Sequence, residues 1–470
     1  MKKNSVISYF DLICSIPHTS GNEKKLSDEV VKILENAGAK VIQYPNGNVY
    51  AYKPNNINLS GICFQAHLDM VPQKSDSSKH DFINDPIQYR EENGWLVTNG
   101  TTLGADNGIG VAMILSMFND ENINNPLEAI LTIEEETTFK GALSLPQNLI
   151  KSKYFINLDS EQDDLIVIGS GGTNVFEAYI PSEWIDSCDS MFGVKIKISG
   201  GLGGHSGVVI GETRINALVE SLNILKTLAD KYNFNIVEIK TQNPANAIPD
   251  RVEVILDVNK NQNDAFFKDY TDLFNEMKKS YQLEKNIELE ITSNINQKSL
   301  THNVTTKILN LIIGSFSGLN KYDFRFDIPE ASSNLSSINI SEDQIKMHWF
   351  SRANNEYFLN NIKNKLVSIA KLGNIEYNTH NKSSPWMPLY DNELALYIIK
   401  IAKEKFNKDI KMSAIHAGLE VGEICKNNPN IIGVSIGPNI INPHSPREAV
   451  ELKSVDFIYN LVLESIKNLK

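Results

Sequence analysis

The sequence predicts an α/β protein: a mostly parallel sheet flanked by helices, into which a smaller α+β unit is inserted. Three observations lead there. Over the first 160 or so residues, short apolar runs rich in strand formers alternate with segments of helical period. Near position 193 the pattern changes to strands that alternate with lysine, such as 194–198, as a half-exposed antiparallel sheet does. From about position 389 the helical period and short apolar strands return. At 470 residues the chain is too long for a single core. The expected organisation is a catalytic α/β domain in two parts, 1–190 and 386–470, around an inserted domain, 191–385.

In order along the chain, residues 6–37 hold two helices separated by Pro17-His18-Thr19-Ser20-Gly21. Strands at 41–44 and 48–52 flank the turn Pro45-Asn46-Gly47, and a buried strand starts at Ile62. A helix from Asn107 and strands at 129–133 and 154–158 complete the first pattern. The inserted region reads as βαββαβ: strand 194–198, helix 215–232, strands 235–240 and 251–258, helix 266–281, strand 287–292. A second, fainter copy follows: helix 304–315, strands 335–340 and 344–351, helix 357–372, strand 374–379. Helices at 394–406 and 455–469 close the chain.

Composition narrows the function. With 41% hydrophobic and 22% charged residues and a net charge of −12, the chain reads as an ordinary globular protein without the basic patches of a nucleic-acid binder. Four scattered cysteines (Cys14, Cys63, Cys188, Cys425) argue against a disulfide framework and a thiolate zinc site, and suit a reducing compartment. No signal-peptide pattern and no apolar run of about 18 residues is present. The expectation is a cytoplasmic protein with no membrane partner.

The chemistry gathers at strand ends. The run Ile62-Cys63-Phe64-Gln65-Ala66 ends in His67, with Asp69 two positions on. A histidine beyond the carboxyl end of a parallel strand is placed for ligand chemistry, and the aspartate suits a partner that orients its ring. Glu134-Glu135-Glu136 follow one strand and Asp159 ends another, while Asp106 lies in the glycine-rich turn Gly104-Ala105-Asp106-Asn107-Gly108. That turn lacks the lysine of a phosphate loop. His444 sits between two prolines near the end of the chain. Taken singly these are commonplace, an N-cap aspartate or a solvated acidic loop. Together they offer oxygen and imidazole ligands without thiolates, as a two-metal hydrolytic centre does.

Further motifs run through nearly the whole chain in order: His67-Leu68-Asp69-Met70-Val71-Pro72-Gln73, His80-Asp81-Phe82, Gly100-Thr101-Thr102-Leu103-Gly104-Ala105-Asp106-Asn107-Gly108, Gly203-Gly204-His205-Ser206-Gly207, Ser332-Ser333-Asn334-Leu335, His416-Ala417-Gly418-Leu419-Glu420, and Ser435-Ile436-Gly437-Pro438 with His444-Ser445-Pro446. In these the sequence resembles the zinc di-metal aminopeptidase/deacylase superfamily, and within it the aminoacyl-histidine (cytosolic non-specific) dipeptidases. The resemblance implies two Zn2+ per subunit, with Co2+ or Mn2+ as alternatives. His67 and Asp159 would hold one ion, Glu136 and His444 the other, and Asp106 would bridge them. Asp69 would orient His67, and Glu135 would be the general base. The peptide Asp106-Asn107 would be cis. In the inserted domain, a lid over the substrate, His205 would donate to the tetrahedral oxyanion and Arg352 would clamp the substrate carboxylate, assisted by Asn334. His416 and Glu420 would line the pocket, Glu420 facing the free amine. The substrate would be a dipeptide, Xaa-His among others, held between the domains of a monomer or homodimer.

The chain departs from the family at three places: Thr137-Thr138 stand where small residues usually follow the two glutamates, no arginine precedes Asn246-Ala247-Ile248-Pro249, and Val421 replaces a cysteine. None is an expected ligand, so they bear on substrate range. The rival readings are an N-acyl amino acid deacylase or carboxypeptidase of the same superfamily, and an inactive scaffold that only binds.

Overall fold

The computed structural model describes residues 5–56, 58–467 and 469 and divides into two compact units. The first comprises the described residues up to Ser170, with Trp386–Ala414 and the chain from Leu419 onward. Its centre is an eight-stranded sheet in the order Lys40–Gln43, Val49–Lys53, Leu127–Thr132, Ile62–His67, Tyr154–Asn157, Ile432–Ser435, Leu165–Val167, Lys411–Ser413. The four strands from Leu127–Thr132 to Ile432–Ser435 are mutually parallel. Ile62–His67, Leu127–Thr132 and Tyr154–Asn157 are buried along their whole length, which is why they read as continuous rather than alternating apolar runs.

Parallel strands bring all their carboxyl ends to one edge of the sheet. Thr132 pairs with His67, and Asn157 with Gln65, so the residues that follow emerge side by side. The helix Ala105–Phe118 packs behind this edge with every residue buried except Asp106. Gly110 permits that approach, because a Cβ there would lie 2.8 Å from the Leu158 carbonyl oxygen. Beside it a small antiparallel sheet pairs Ile440–Ile441 with Ala449–Glu451, Ala449–Glu451 with Trp95–Thr98, and Trp95–Thr98 with Tyr89–Glu92.

The second unit is Gly171–Pro385 with Ile415–Gly418. It contains two antiparallel sheets of the same construction. One has the order Phe234–Lys240, Val252–Asn259, Met191–Ser199, Glu288–Asn294; the other Gly318–Asp323, Ile328–Ile340, Gln344–Ala353, Gly172–Pro181, Glu376–Ser383. Setting aside the extra edge strand Gly318–Asp323, both follow the same βαββαβ winding, with helices Ala217–Leu228 and Asn263–Ser280 in the first and His302–Gly314 and Glu356–Leu372 in the second. The doubling is real but nested. Gly172–Pro181, the first strand of the second copy, precedes the entire first copy and pairs with Gln344–Ala353 and Glu376–Ser383.

This corrects the expected boundary at 190/191, which falls instead at 170/171. A strand whose partners lie more than 160 positions away carries no local sign of where it belongs. The four residues Ile415–Gly418 were likewise expected in the first unit. The closing helix runs Leu452–Ile466, and position 468 of the expected span lies outside the described residues.

Candidate active site

The carboxyl edge of the parallel sheet gathers the five expected metal ligands. Asp106 is central: its Oδ1 lies 3.1 Å from His67 Nε2 and its Oδ2 3.1 Å from His444 Nε2. Beyond them, Asp159 Oδ1 is 3.2 Å from His67 Nε2 and Glu136 Oε2 is 3.0 Å from His444 Nε2. The result is a chain of alternating acid and imidazole, Asp159–His67–Asp106–His444–Glu136, with a carboxylate bridging its middle. The peptide Asp106-Asn107 is cis, and Asn107 Nδ2 donates to Asp159 Oδ1 at 2.6 Å.

His67 faces this cluster with Nε2, so Nδ1 carries the proton that points away. Its nearer acceptor is the main-chain oxygen of Asp69 at 3.0 Å rather than the Asp69 carboxylate at 3.5 Å. That carboxylate instead holds the acidic loop: Glu135 N donates to Oδ1 at 3.0 Å and Glu136 N to Oδ2 at 3.1 Å, with Ser20 Oγ adding a third bond at 2.8 Å. Glu134 N donates to Glu23 at 3.1 Å. Past Thr132, then, side chains rather than a neighbouring strand fix the backbone of the expected base and its ligand neighbour. From the sequence Ser20 reads as a candidate N-cap of the second helix, but that helix starts after Glu23 and the Ser20 hydroxyl serves Asp69 instead; Glu23 carries no comparable signal.

The Thr137-Thr138 departure leaves Glu135 alone. Thr138 Oγ1 donates to the Glu134 carboxylate at 3.1 Å and accepts from Lys140 N at 3.2 Å. The left-handed positions of this turn are Glu134 and Phe139, so threonine at 137 and 138 meets no backbone penalty.

Electrostatics show an excess of negative charge. Burial would lower the His67 pKa, but Asp159, Asp106 and Asp69 outweigh it and hold the ring well above its usual value. Hydrogen bonds to Asp106 and Glu136 push His444 up to about 11. Glu135 is raised well above the ordinary carboxyl range by burial and then by Asp159, Glu136 and Glu420. Burial, then Asp106, raises both Glu136 and Asp159. Glu161, unnoticed in the sequence, is pushed up to about 8 by burial and then by Asp106 and Asp159. Several carboxylates around two imidazoles call for cations, and the donors are oxygen and nitrogen only. His67, Asp106 and Glu136 each offer a ligand atom within 4.8 Å of the others, and the buried Glu136 Oε1 has no partner. The residues fit divalent metal.

The second unit holds a different group. Arg352 is buried, its Nη2 donates to His205 Nε2 at 3.2 Å, and its Nε has no partner. His416 lies in the same unit, with Nε2 2.7 Å from Ser332 Oγ and Nδ1 3.4 Å from Asn354 Oδ1. Burial and then Arg352 lower His205 to about 4; burial, Arg352 and His205 lower His416 to about 3. Both rings are therefore neutral at pH 7, beside a guanidinium.

Two expected substrate contacts also make hydrogen bonds within their own units. Asn334 donates to the Ala247 carbonyl at 2.8 Å and accepts from Asn216 at 3.0 Å. It braces the short strand that pairs with His205, and these bonds engage its amide oxygen and one of its two Nδ2 hydrogens. Glu420 is enclosed in the first unit, where Oε2 accepts from Thr132 Oγ1 at 2.5 Å and Gln65 Nε2 at 2.9 Å. It belongs to a polar layer beneath the metal-binding edge that continues through Asn157 to Ser435, and its buried Oε1 has no partner. Strand alternation explains this: Gln65 lies two residues behind His67, and Asn157 two behind Asp159.

Residues 63–468 match the sequence profile of Peptidase family M20/M25/M40. The chain belongs to this family. The peptidase is 31% identical to the cytosol non-specific dipeptidase of Escherichia coli K12 over 98% of its own length and 96% of that protein's. It is also similar to the crystal structure of aminoacylhistidine dipeptidase from Vibrio alginolyticus, with a TM-score of 0.90 and 28% identity over 99% of this chain and 96% of that one. A Staphylococcus aureus tripeptidase shares the fold at a TM-score of 0.57 and 13% identity, covering 99% of this chain and 97% of that one.

Proposed function

We propose that this peptidase is a cytosolic dipeptidase with a two-zinc centre, acting on Xaa-His and other short dipeptides. The observation that carries the reading is Asp106, whose two oxygens each face a different histidine, with a further carboxylate beyond each. His67 and Asp159 would hold one ion and His444 and Glu136 the other, with Asp106 shared. When bound, the ions would polarise the scissile carbonyl and make water a stronger acid.

The protein's own groups do the rest. Glu135, whose pKa is raised, takes the proton of the attacking water on a carboxylate oxygen and passes it to the leaving amine. Asp69 fixes where that carboxylate stands by holding the backbone N–H groups of Glu135 and Glu136. The main-chain oxygen of Asp69 keeps the His67 proton on Nδ1. In the second unit, Arg352 is a buried cation suited to the terminal carboxylate of a dipeptide. With Nε2 accepting from Arg352, the donor His205 has for a tetrahedral oxyanion is Nδ1–H.

Hydrolysis of Ala-His, Ala-Ala-His and N-acetyl-His by the zinc-loaded protein, with and without chelator, tests the reading. Chelator-sensitive cleavage of Ala-His alone supports it. Cleavage of N-acetyl-His instead assigns a deacylase, and silence on all three a binding scaffold.

A further inference from the structure

We propose that Glu448 is a positioning residue for the metal centre, which sets the place of Asp106 by holding its backbone. The Glu448 carboxylate is buried and accepts four consecutive main-chain N–H groups: Leu103 at 2.7 Å and Gly104 at 3.0 Å on Oε2, Ala105 at 2.8 Å and Asp106 at 3.3 Å on Oε1. These N–H groups belong to the turn that leads into the helix, where the backbone leaves helical geometry at Asp106 and Asn107 and no carbonyl one turn back serves them. Four N–H groups on one carboxylate exceed what a capping side chain ordinarily takes.

The reach of Glu448 comes from the sheet. The loop between Ile440–Ile441 and Ala449–Glu451 carries both His444 and Glu448. Ala449–Glu451 pairs with Trp95–Thr98, the strand that leads into the Asp106 turn, and this pairing sets the two loops side by side. One loop therefore grips Asp106 at both ends, with His444 3.1 Å from the side-chain Oδ2 and Glu448 on the backbone. Gly104 keeps the turn tight: it adopts φ 71°, and a Cβ there would come 3.0 Å from the Met70 sulfur. Any movement of the His444 loop is thereby passed to the residue that both histidines share.

The inference rests on the reading of Asp106 as a shared ligand, so its test separates the two. Zinc affinity of the apoprotein is measured by competition with a chromogenic chelator, together with the apoprotein Tm and kcat and KM for Ala-His, for wild type, Glu448→Gln, Glu448→Asp and Asp106→Asn. Glutamine keeps the size of glutamate but replaces one acceptor oxygen with an amide donor facing two N–H groups. We expect Glu448→Gln to weaken zinc binding and lower kcat by about 10- to 100-fold, with KM changed less than threefold. Glu448→Asp keeps the charge and should recover much of the loss. If Glu448→Gln lowers only the apoprotein Tm while zinc affinity and kcat stay within twofold of wild type, Glu448 is a structural helix cap and the inference fails. Should Glu448→Gln not fold, Glu448→Ala is judged by the same criteria: zinc affinity and kcat within twofold of wild type overturn the proposal, and a weakening of about 10- to 100-fold supports it. Failure of wild-type protein to bind zinc, or Asp106→Asn binding it as tightly as wild type, sinks the metal reading itself.

Discussion

The first unit concentrates negative charge at the end of a parallel sheet, whereas the second buries a guanidinium with two neutral imidazoles. In the first, Asp106, Glu135, Glu136 and Asp159 surround two histidines, whose pKa values rise. In the second, Arg352 faces His205 and His416, whose pKa values fall. The same side chain, imidazole, is driven in opposite directions by its neighbours. The first group is complementary to cations and the second to an anion, which are the two things a metal-dependent peptidase must hold.

The contrast can be broken from either side. The largest effect is expected at the base. Glu135→Gln should lower kcat by roughly a thousandfold while leaving KM and metal content near wild type, measured on Ala-His. Loss of bound metal in that variant would instead make Glu135 a ligand. Next, Arg352→Met should raise KM for Ala-His by about 10- to 100-fold, in line with the loss of a charge-assisted bidentate contact. The penalty should shrink for the C-terminally amidated dipeptide, and an equal penalty on both would show that Arg352 does not read the carboxylate.

A smaller effect follows from the neutral histidines. Their folded pKa values, about 4 for His205 and about 3 for His416, lie below the 6.5 of a free imidazole. Below about pH 6.5 the unfolded chain takes up protons that the native state refuses, so stability is lost as pH falls. Each ring contributes a slope of up to about 1.4 kcal/mol per pH unit there. Urea unfolding between pH 7 and 5 should therefore show a weaker pH dependence in His416→Gln than in wild type. The smallest effect concerns Thr138, whose hydroxyl bonds Glu134 rather than the base. Thr138→Gly should leave kcat within about twofold, as a surface substitution away from reacting groups does, whereas a larger change would mean the turn governs Glu135 after all.

The same contrast explains what could be read in advance. His67, Asp159 and the acidic loop each end a buried apolar strand, so a one-dimensional pattern places them on one edge, and all five expected ligands meet there. The second unit is assembled by antiparallel pairing across long separations, as where Thr173 pairs with Arg352 and Ser332 with the same arginine from the other side. No local pattern encodes such neighbours, so the nesting of Gly172–Pro181, the engagement of Asn334 and the seat of His416 stayed hidden. Within the first unit the misses were supporting groups. Glu420 lies beneath the metal-binding edge, Glu448 and Glu23 hold backbone N–H groups, and Ser20 donates to the Asp69 carboxylate. Their signal was a lone polar residue near a motif, which chemistry alone does not distinguish from a solvated one.

The central claim is the metal centre built around Asp106, and calorimetric titration of zinc into the apoprotein at fixed pH tests it most directly. The account predicts two equivalents bound, Ala-His hydrolysis that rises with occupancy, and loss of the shared site in Asp106→Asn. Undiminished hydrolysis of Ala-His by metal-free protein, or zinc binding that Asp106→Asn leaves intact, would contradict it.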